Sequence, residues 1–272
     1  MNRISRRRFV RGLIGCGIAA AGVGCIEETD KVQVTHPKIA VRGLPEGISG
    51  FRIAVLADVH HSPIVPLSRV RRVVDLANAA EADLIALVGD YVWNGPRHIG
   101  PVFAQLARLR ARHGVIAVLG NHDHWDGAPE TRERMAAAGI ADLTNRNVRI
   151  ETPRGSFQIA GLDDPWAGAP KVEQALAGIR AATGAVMLCH QPVAAELMID
   201  DRVSLMIAGH THGGQVVLPF IGPIVVPGPR KYVSGLVQGP RCPVYISRGI
   251  AYAGVPLRIN CPAELPIITL LP

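Results

Sequence analysis

Apolar residues in this chain gather in short runs that stop at a glycine or a polar residue, with helically spaced stretches between them. Phe51–Ala57 reads as a strand. Leu67, Val70, Val73, Val74 and Ala77 then recur at helical spacing. Leu84–Val88 is a continuous apolar strand. Val102, Phe103, Leu106 and Leu109 have helical spacing again, and Val115–Leu119 is another strand. This βαβαβ order predicts a sheet with helices on both faces, because short strands without alternation are those buried on both sides. The second half is less regular. Ser156–Gly161, Ala185–Cys189 and Ser204–Ala208 read as strands, and Lys171–Ala182 and Pro192–Met198 as helices. After Gln215 the chain breaks into short apolar pieces punctuated by Pro and Gly, with strands at Val216–Leu218, Val244–Ser247 and Ile267–Leu271. Val32-Gln33-Val34 alternates like an edge strand. The expected whole is one α/β domain, with two packed sheets between helices and no internal repeat.

Composition adds a core and removes one class of partner. Of 272 residues, 48% are hydrophobic, enough for one sizeable domain. The formal charge of +7 misleads. Of the 29 Lys/Arg, five (Arg3, Arg6, Arg7, Arg8 and Arg11) fall in residues 1–25, which hold no acid; the remainder balances 24 bases against 22 acids. No basic run is left to track a nucleic-acid backbone, so nucleic acid is not the expected partner.

Residues 1–26 read as an export signal. Ser5-Arg6-Arg7-Arg8-Phe9-Val10 precedes an apolar Gly/Ala-rich stretch from Gly12 to Ile26, the order of a signal peptide. The paired arginines resemble a twin-arginine signal, which implies the twin-arginine export machinery as a partner and a periplasmic or cell-surface location. Cleavage, lipidation at Cys25 and retention as an anchor all stay open. Residues 27–50, rich in Pro and Gly, form a linker and lead-in strand. Cys189, Cys242 and Cys261 remain in residues 27–272; a Cys242–Cys261 bridge is one option in an oxidising compartment. Oligomeric state cannot be read.

The chemistry lies where the apolar runs end. Asp58-Val59-His60, Gly89-Asp90-Tyr91, Gly120-Asn121-His122-Asp123, His190 after Met187-Leu188-Cys189, and Gly209-His210-Thr211-His212 each begin a loop after a strand. Sites in open α/β sheets collect beyond the carboxyl ends of strands, so these residues converge from distant sequence. Together they offer carboxylates, an amide and imidazoles, a shell that suits two divalent ions of Mn, Fe or Zn. Glycines directly before ligands permit tight turns.

At these five motifs the chain resembles the calcineurin-like metallophosphoesterases, over roughly residues 51–272. The resemblance implies a four-layer α/β/β/α sandwich with two mixed sheets flanked by helices. It implies Asp58, His60 and His212 at one metal and Asn121, His190 and His210 at the other, with Asp90 bridging. It places His122 toward the phosphate, with Asp123 as its orienting partner. Two such metals share and deprotonate a water for in-line attack on phosphorus.

Further strings resemble the YkuE- and YaeI-like branch: Gly213-Gly214-Gln215 with Pro219, Lys231-Tyr232, Ser247-Arg248-Gly249, and Pro256-Leu257-Arg258-Ile259-Asn260-Cys261-Pro262. That branch is similar to UDP-2,3-diacylglucosamine pyrophosphatases, which makes a phosphodiester or pyrophosphate in an envelope substrate the expected target, lipids included. His61, Lys231, Arg248 and Arg258 are the candidates for contacting it. The rival readings are an exported metal- or envelope-binding protein without turnover, and a nuclease, which the near-neutral charge disfavours.

Overall fold

The structure, a computed structural model, describes residues 31–181 and 183–272. The export segment of residues 1–26, with Cys25, and the first lead-in residues lie outside the described residues. The first half of the chain supplies β1 (Val32–Thr35), β2 (Lys38–Ala40), β3 (Arg52–Leu56), β4 (Leu84–Val88), β5 (Val115–Val118) and β6 (Ala141–Asp142). The second half supplies β7 (Arg146–Thr152), β8 (Gly155–Gly161), β9 (Ala185–Leu188), β10 (Val203–Ala208), the hairpin of β11 (Val217–Leu218) and β12 (Gly222–Pro223), then β13 (Gly235–Gln238), β14 (Pro243–Ile246) and β15 (Ala263–Leu271).

Two mixed sheets result. One runs β1-β15-β3-β4-β5-β6, with β2 also on β15; the other runs β13-β14-β10-β9-β8-β7. In the first, β3, β4, β5 and β6 are parallel neighbours and β15 joins β3 antiparallel. In the second, β8, β9, β10 and β14 are parallel, while β7 and β13 join antiparallel.

The two-residue period of each strand assigns its faces. In β3, Ile53 and Val55 face the other sheet, while Ala54 and Leu56 face helices; in β4, Leu84, Ala86 and Val88 point inward and Ile85 and Leu87 outward. From the second sheet Val186, Leu188, Leu205 and Ile207 complete the inner core. Helices α1 (Leu67–Ala79), α2 (Ile99–Leu106) and α3 (Asn121–Ala137) cover the first sheet's outer face, where Val70, Val73, Val102, Phe103 and Met135 are buried. Short α4 (Val172–Ala175) and α5 (Ala194–Leu197) cover the second. This is the expected four-layer sandwich, and every expected strand has its counterpart, with ends shifted by a residue or a few.

The helices differ more. The stretch read as a helix over Lys171–Ala182 forms one turn, because Leu176 leaves helical geometry and Gly178 takes φ 75°. Pro192–Met198 shortens to α5. The long α3 has no clear signature in the sequence pattern: Gly127, at φ 145°, and Pro129 interrupt it and break the apolar period. Its first turn carries the Asn121-His122-Asp123 motif. Among the described residues no helix is long and apolar enough to cross a membrane.

Ile207 is fully buried between the sheets, three residues before His210. Ile207→Ala should lower the free energy of unfolding by about 2–5 kcal/mol, as buried large-to-small changes do. Urea denaturation of both proteins measures it.

Candidate metal centre

Five strands end at one edge of the sandwich, and each hands the chain to a loop bearing predicted ligands. The first sheet contributes Asp58 and His60 after β3, Asp90 after β4, and Asn121 and His122 at the start of α3. The second contributes His190 after β9, and His210 and His212 after β10. The parallel direction of β3–β4–β5 and of β9–β10 brings these ends together. All seven predicted ligands are buried.

The loops reverse so tightly that the backbone leaves its ordinary range. Asp58, His60, Asp90, His210 and His212 have φ between 46° and 71°, five of the eleven non-glycine residues with positive φ among the described residues. Backbone strain of this kind persists only where packing imposes it, and it clusters at functional sites. Two glycines allow the closest approaches. A Cβ on Gly120 would lie 2.3 Å from Asp90 Oδ1, and one on Gly209 would lie 2.6 Å from Asp58 Oδ2.

The ligand atoms fall into groups that match the expected pair of sites. Asp58, His60 and His212 form one, and Asp90, His190 and His210 form another, with the donor atoms of each within 4.8 Å of one another. Asp90 Oδ2 lies 3.5 Å from His60 Nε2 and 3.1 Å from His190 Nε2, between the two groups. His60 Nε2 and His212 Nε2 approach to 3.1 Å, two nitrogens aimed at the same space. Asn121 Oδ1 is buried with no hydrogen-bond partner. His190 Nδ1–H donates to the Val88 carbonyl at 2.8 Å, which fixes the tautomer and leaves Nε2 as the donor atom. The residues present therefore fit two divalent ions. His60, Asp90 and His122 form a third group of the same size, so distance alone does not separate His122 from the ligands.

Burial sets the protonation. It pushes the His60 and His210 imidazoles down to about 3, and His212 well below its usual range, so all three are neutral and ready to ligate at pH 7. Burial raises the Asp58 carboxyl to about 7. It also pulls His190 down, but the charge of Asp90 and the hydrogen bond to it outweigh that and raise His190 to about 10. For Asp90 burial pushes upward, and His190, His60 and His122 outweigh it, so its carboxyl stays ionised.

Several expected roles change. Asp123 does not orient His122. Its carboxylate is taken up by three backbone N–H groups, those of Asp90 at 2.7 Å, Tyr91 at 2.8 Å and Gly120 at 2.9 Å. It clamps the Asp90 loop to the start of α3. None of the four expected substrate contacts lines the cavity. His61 is buried and its Nδ1 donates to the Val65 carbonyl. Lys231 pairs with Glu196. Arg248 faces Glu264 and Gln33. Arg258 is fully buried, and it donates to the carbonyls of Ala251, His212, Cys261 and Arg248, bracing the loop that holds His212. Cys242 and Cys261 are buried and not bridged to each other; Cys261 Sγ donates to the carbonyls of His212 and Gly213.

The cavity over the centre has a volume of about 560 Å³. Its lining combines the polar His60, Asp90, Asn121, His122, His210 and His212 with the apolar Trp125, Trp166, Ile224, Val225, Val255 and Leu257. The two tryptophans escape the sequence reading. Trp125 stands edge-on to His122 at 4.9 Å, and its nearness to the Gly120–Asp123 motif is the available signal. Trp166 stands edge-on to His210 at 4.6 Å. It is placed by buried Asp164, which accepts from the Trp166 and Ala167 amides two and three residues on, and from the distant Gln191 Nε2.

Among known proteins, the sequence matches the family described as calcineurin-like phosphoesterase over residues 51–214. It is 33% identical to the uncharacterized metallophosphoesterase YkuE of Bacillus subtilis, over 99% of both chains. It is 32% identical to phosphodiesterase YaeI of Escherichia coli, over 98% of this chain and all of YaeI. A transmembrane protein with metallophosphoesterase domain from Danio rerio is 29% identical over 98% of this chain and 63% of its own length.

Two outcomes are expected. Asp123→Ala leaves three buried N–H groups unpaired, at about 1–3 kcal/mol each. It should lower both the melting temperature and the metal content found by elemental analysis; loss of turnover alone, with metal and stability kept, would instead assign Asp123 to His122. Second, ligation requires His190 and Asp58 to lose protons, so the affinity of metal-free protein for Mn or Zn should rise with pH. The slope should be about tenfold per pH unit between 7 and 9, and steeper below 7 where Asp58 is also protonated. Calorimetric titration across that range measures it.

Proposed function

The chain belongs to the calcineurin-like phosphoesterase family, and from that premise we propose that it is an exported hydrolase of a phosphodiester or pyrophosphate bond in an amphiphilic envelope lipid. Membership makes it a metal-dependent phosphoester hydrolase. The lipid is supported by one observation, that apolar side chains line the same cavity as the candidate metal ligands. The chain of an amphiphile buries against Trp125, Ile224, Val225, Val255 and Leu257.

Asp58, His60 and His212 would hold one ion and Asn121, His190 and His210 the second, with Asp90 available to both. Such ions supply Lewis acidity, lowering the pKa of water and neutralising phosphate oxygens. His122 is half-buried. Its backbone N–H donates to Asp90 Oδ1 at 2.9 Å, its ring is bounded by His60 and Trp125, and it lines the cavity beside the candidate ligands, which supports a place next to the substrate phosphate. There it donates a proton or hydrogen bond to the departing oxygen. An imidazole placed this way favours turnover over a purely binding role. A UDP-diacylglucosamine-type pyrophosphate has the same amphiphilic chemistry; an exported enzyme meets phosphodiesters of the envelope instead.

The test is metal content and cleavage of bis-(p-nitrophenyl) phosphate on one purified sample, with and without chelator. About two ions per chain and chelator-sensitive cleavage are expected. His122→Ala should keep both ions and lose about 10²–10⁴-fold in turnover, while Asp90→Ala should lose metal as well. Unchanged turnover in His122→Ala would remove its assigned role.

A further inference from the structure

The hairpin of β11 and β12 stands on the rim of the cavity. Gly214, Gln215 and Val216 precede it, Ile224, Val225 and Pro227 follow it, and all six line the cavity. Its base is tied down: Val217 N–H donates to the Ile259 carbonyl at 2.9 Å, and Asn260 Nδ2 donates to the Val217 carbonyl at 2.9 Å. Its turn carries Phe220 and Ile221, which are 109% and 71% exposed. Folding gains almost nothing from two large apolar side chains placed in water. Phe220 also holds φ 65°, where glycine fits better than a bulky residue. The apolar surface does not end at the turn, because Val225, Val255, Trp125 and Trp166 are exposed and line the cavity below it. Contiguous apolar surface of this kind marks an interaction site.

The charges around the hairpin indicate what it meets. Gln215 to Pro229 carries no charged residue. Of the Lys/Arg around it in sequence, Arg202, Lys231, Arg241 and Arg248 pair with carboxylates and Arg258 is buried. Arg230, seven residues past β12, is exposed. A bare, uncharged apolar tip with this arginine after it complements a bilayer with anionic headgroups, where aromatic and aliphatic side chains enter the acyl boundary and the cation stays at the phosphates.

We infer that the β11–β12 hairpin docks this domain on an anionic phospholipid surface, with Phe220 and Ile221 inserted and the cavity mouth turned to the bilayer. The inference rests on the amphiphile reading of the cavity: a lipid then passes from the bilayer into the cavity along a continuous apolar path, its phosphate arriving at the metal centre.

The test compares the full chain with its Phe220→Gly/Ile221→Ser double variant. Glycine relaxes the backbone at 220, and neither residue lines the cavity, so folding and turnover of the soluble diester should be kept. Binding to phosphatidylcholine vesicles containing phosphatidylglycerol, measured by sedimentation, should weaken by about tenfold or more. A second variant, Phe220→Trp, should show additional emission that brominated phosphatidylglycerol quenches, which reads the hairpin separately from residues 1–26. Equal vesicle binding by the double variant, together with no quenching of the emission that Phe220→Trp adds, would overturn docking. Concentration-dependent self-association abolished by the double variant, without vesicle binding, would assign the patch to a second copy and overturn it likewise. If neither protein cleaves the diester, the activity reading falls while the vesicle comparison still decides docking.

Discussion

The site depends on one carboxylate, that of Asp90. It is buried between His60 of one ligand group and His190 of the other, and its second oxygen receives the His122 amide. The two ligand groups draw on both sheets, and this side chain reaches a histidine of each. Its own position is not free. The Asp123 clamp holds the Asp90 and Tyr91 amides from below, and Gly120 leaves the gap that the carboxylate fills. In the metal-free protein only the His190 imidazole offsets this buried carboxylate, while burial keeps His60, His210 and His212 neutral, which is a poor arrangement. It becomes a good one when divalent charge is added.

The rest of the sandwich delivers these atoms. Parallel strands in each sheet end on the same side, and a fully apolar inner core keeps the sheets in register. The strain at five ligand residues is carried by that frame. Arg258 shows how far the bracing extends: a buried cation spends its donors on backbone carbonyls around His212 rather than on a ligand.

Above the centre the chain's character changes from buried ligands to exposed apolar surface. The Pro/Gly-rich segment after Gln215 makes little regular structure, and it builds one wall of the cavity and the hairpin beside it. Candidate metal ligands and apolar side chains line one cavity, and the proposed amphiphilic substrate would tie turnover to the surface on which that substrate resides.

How much of this is legible along the chain follows from the range of each interaction. Strand positions, the layer order and the residues of the ligand set are written in local pattern and short motifs, because burial on both faces demands continuous apolar runs and ligands sit where those runs end. The helix at Asn121 is hidden because Gly127 and Pro129 break its period. The role of Asp123 is misread along the chain because adjacency in sequence to His122 is not contact: the helical start turns the carboxylate toward the Asp90 loop. Arg248, Arg258 and Lys231 look like phosphate ligands as letters, yet only the packing shows that neighbouring carboxylates and carbonyls already hold them. The sequence by itself determined which residues could bind metal and that they would meet at one sheet edge. The tertiary structure alone decided which cations were consumed in bracing and that the apolar hairpin rises beside the cavity, since each depends on contacts between residues far apart in the chain.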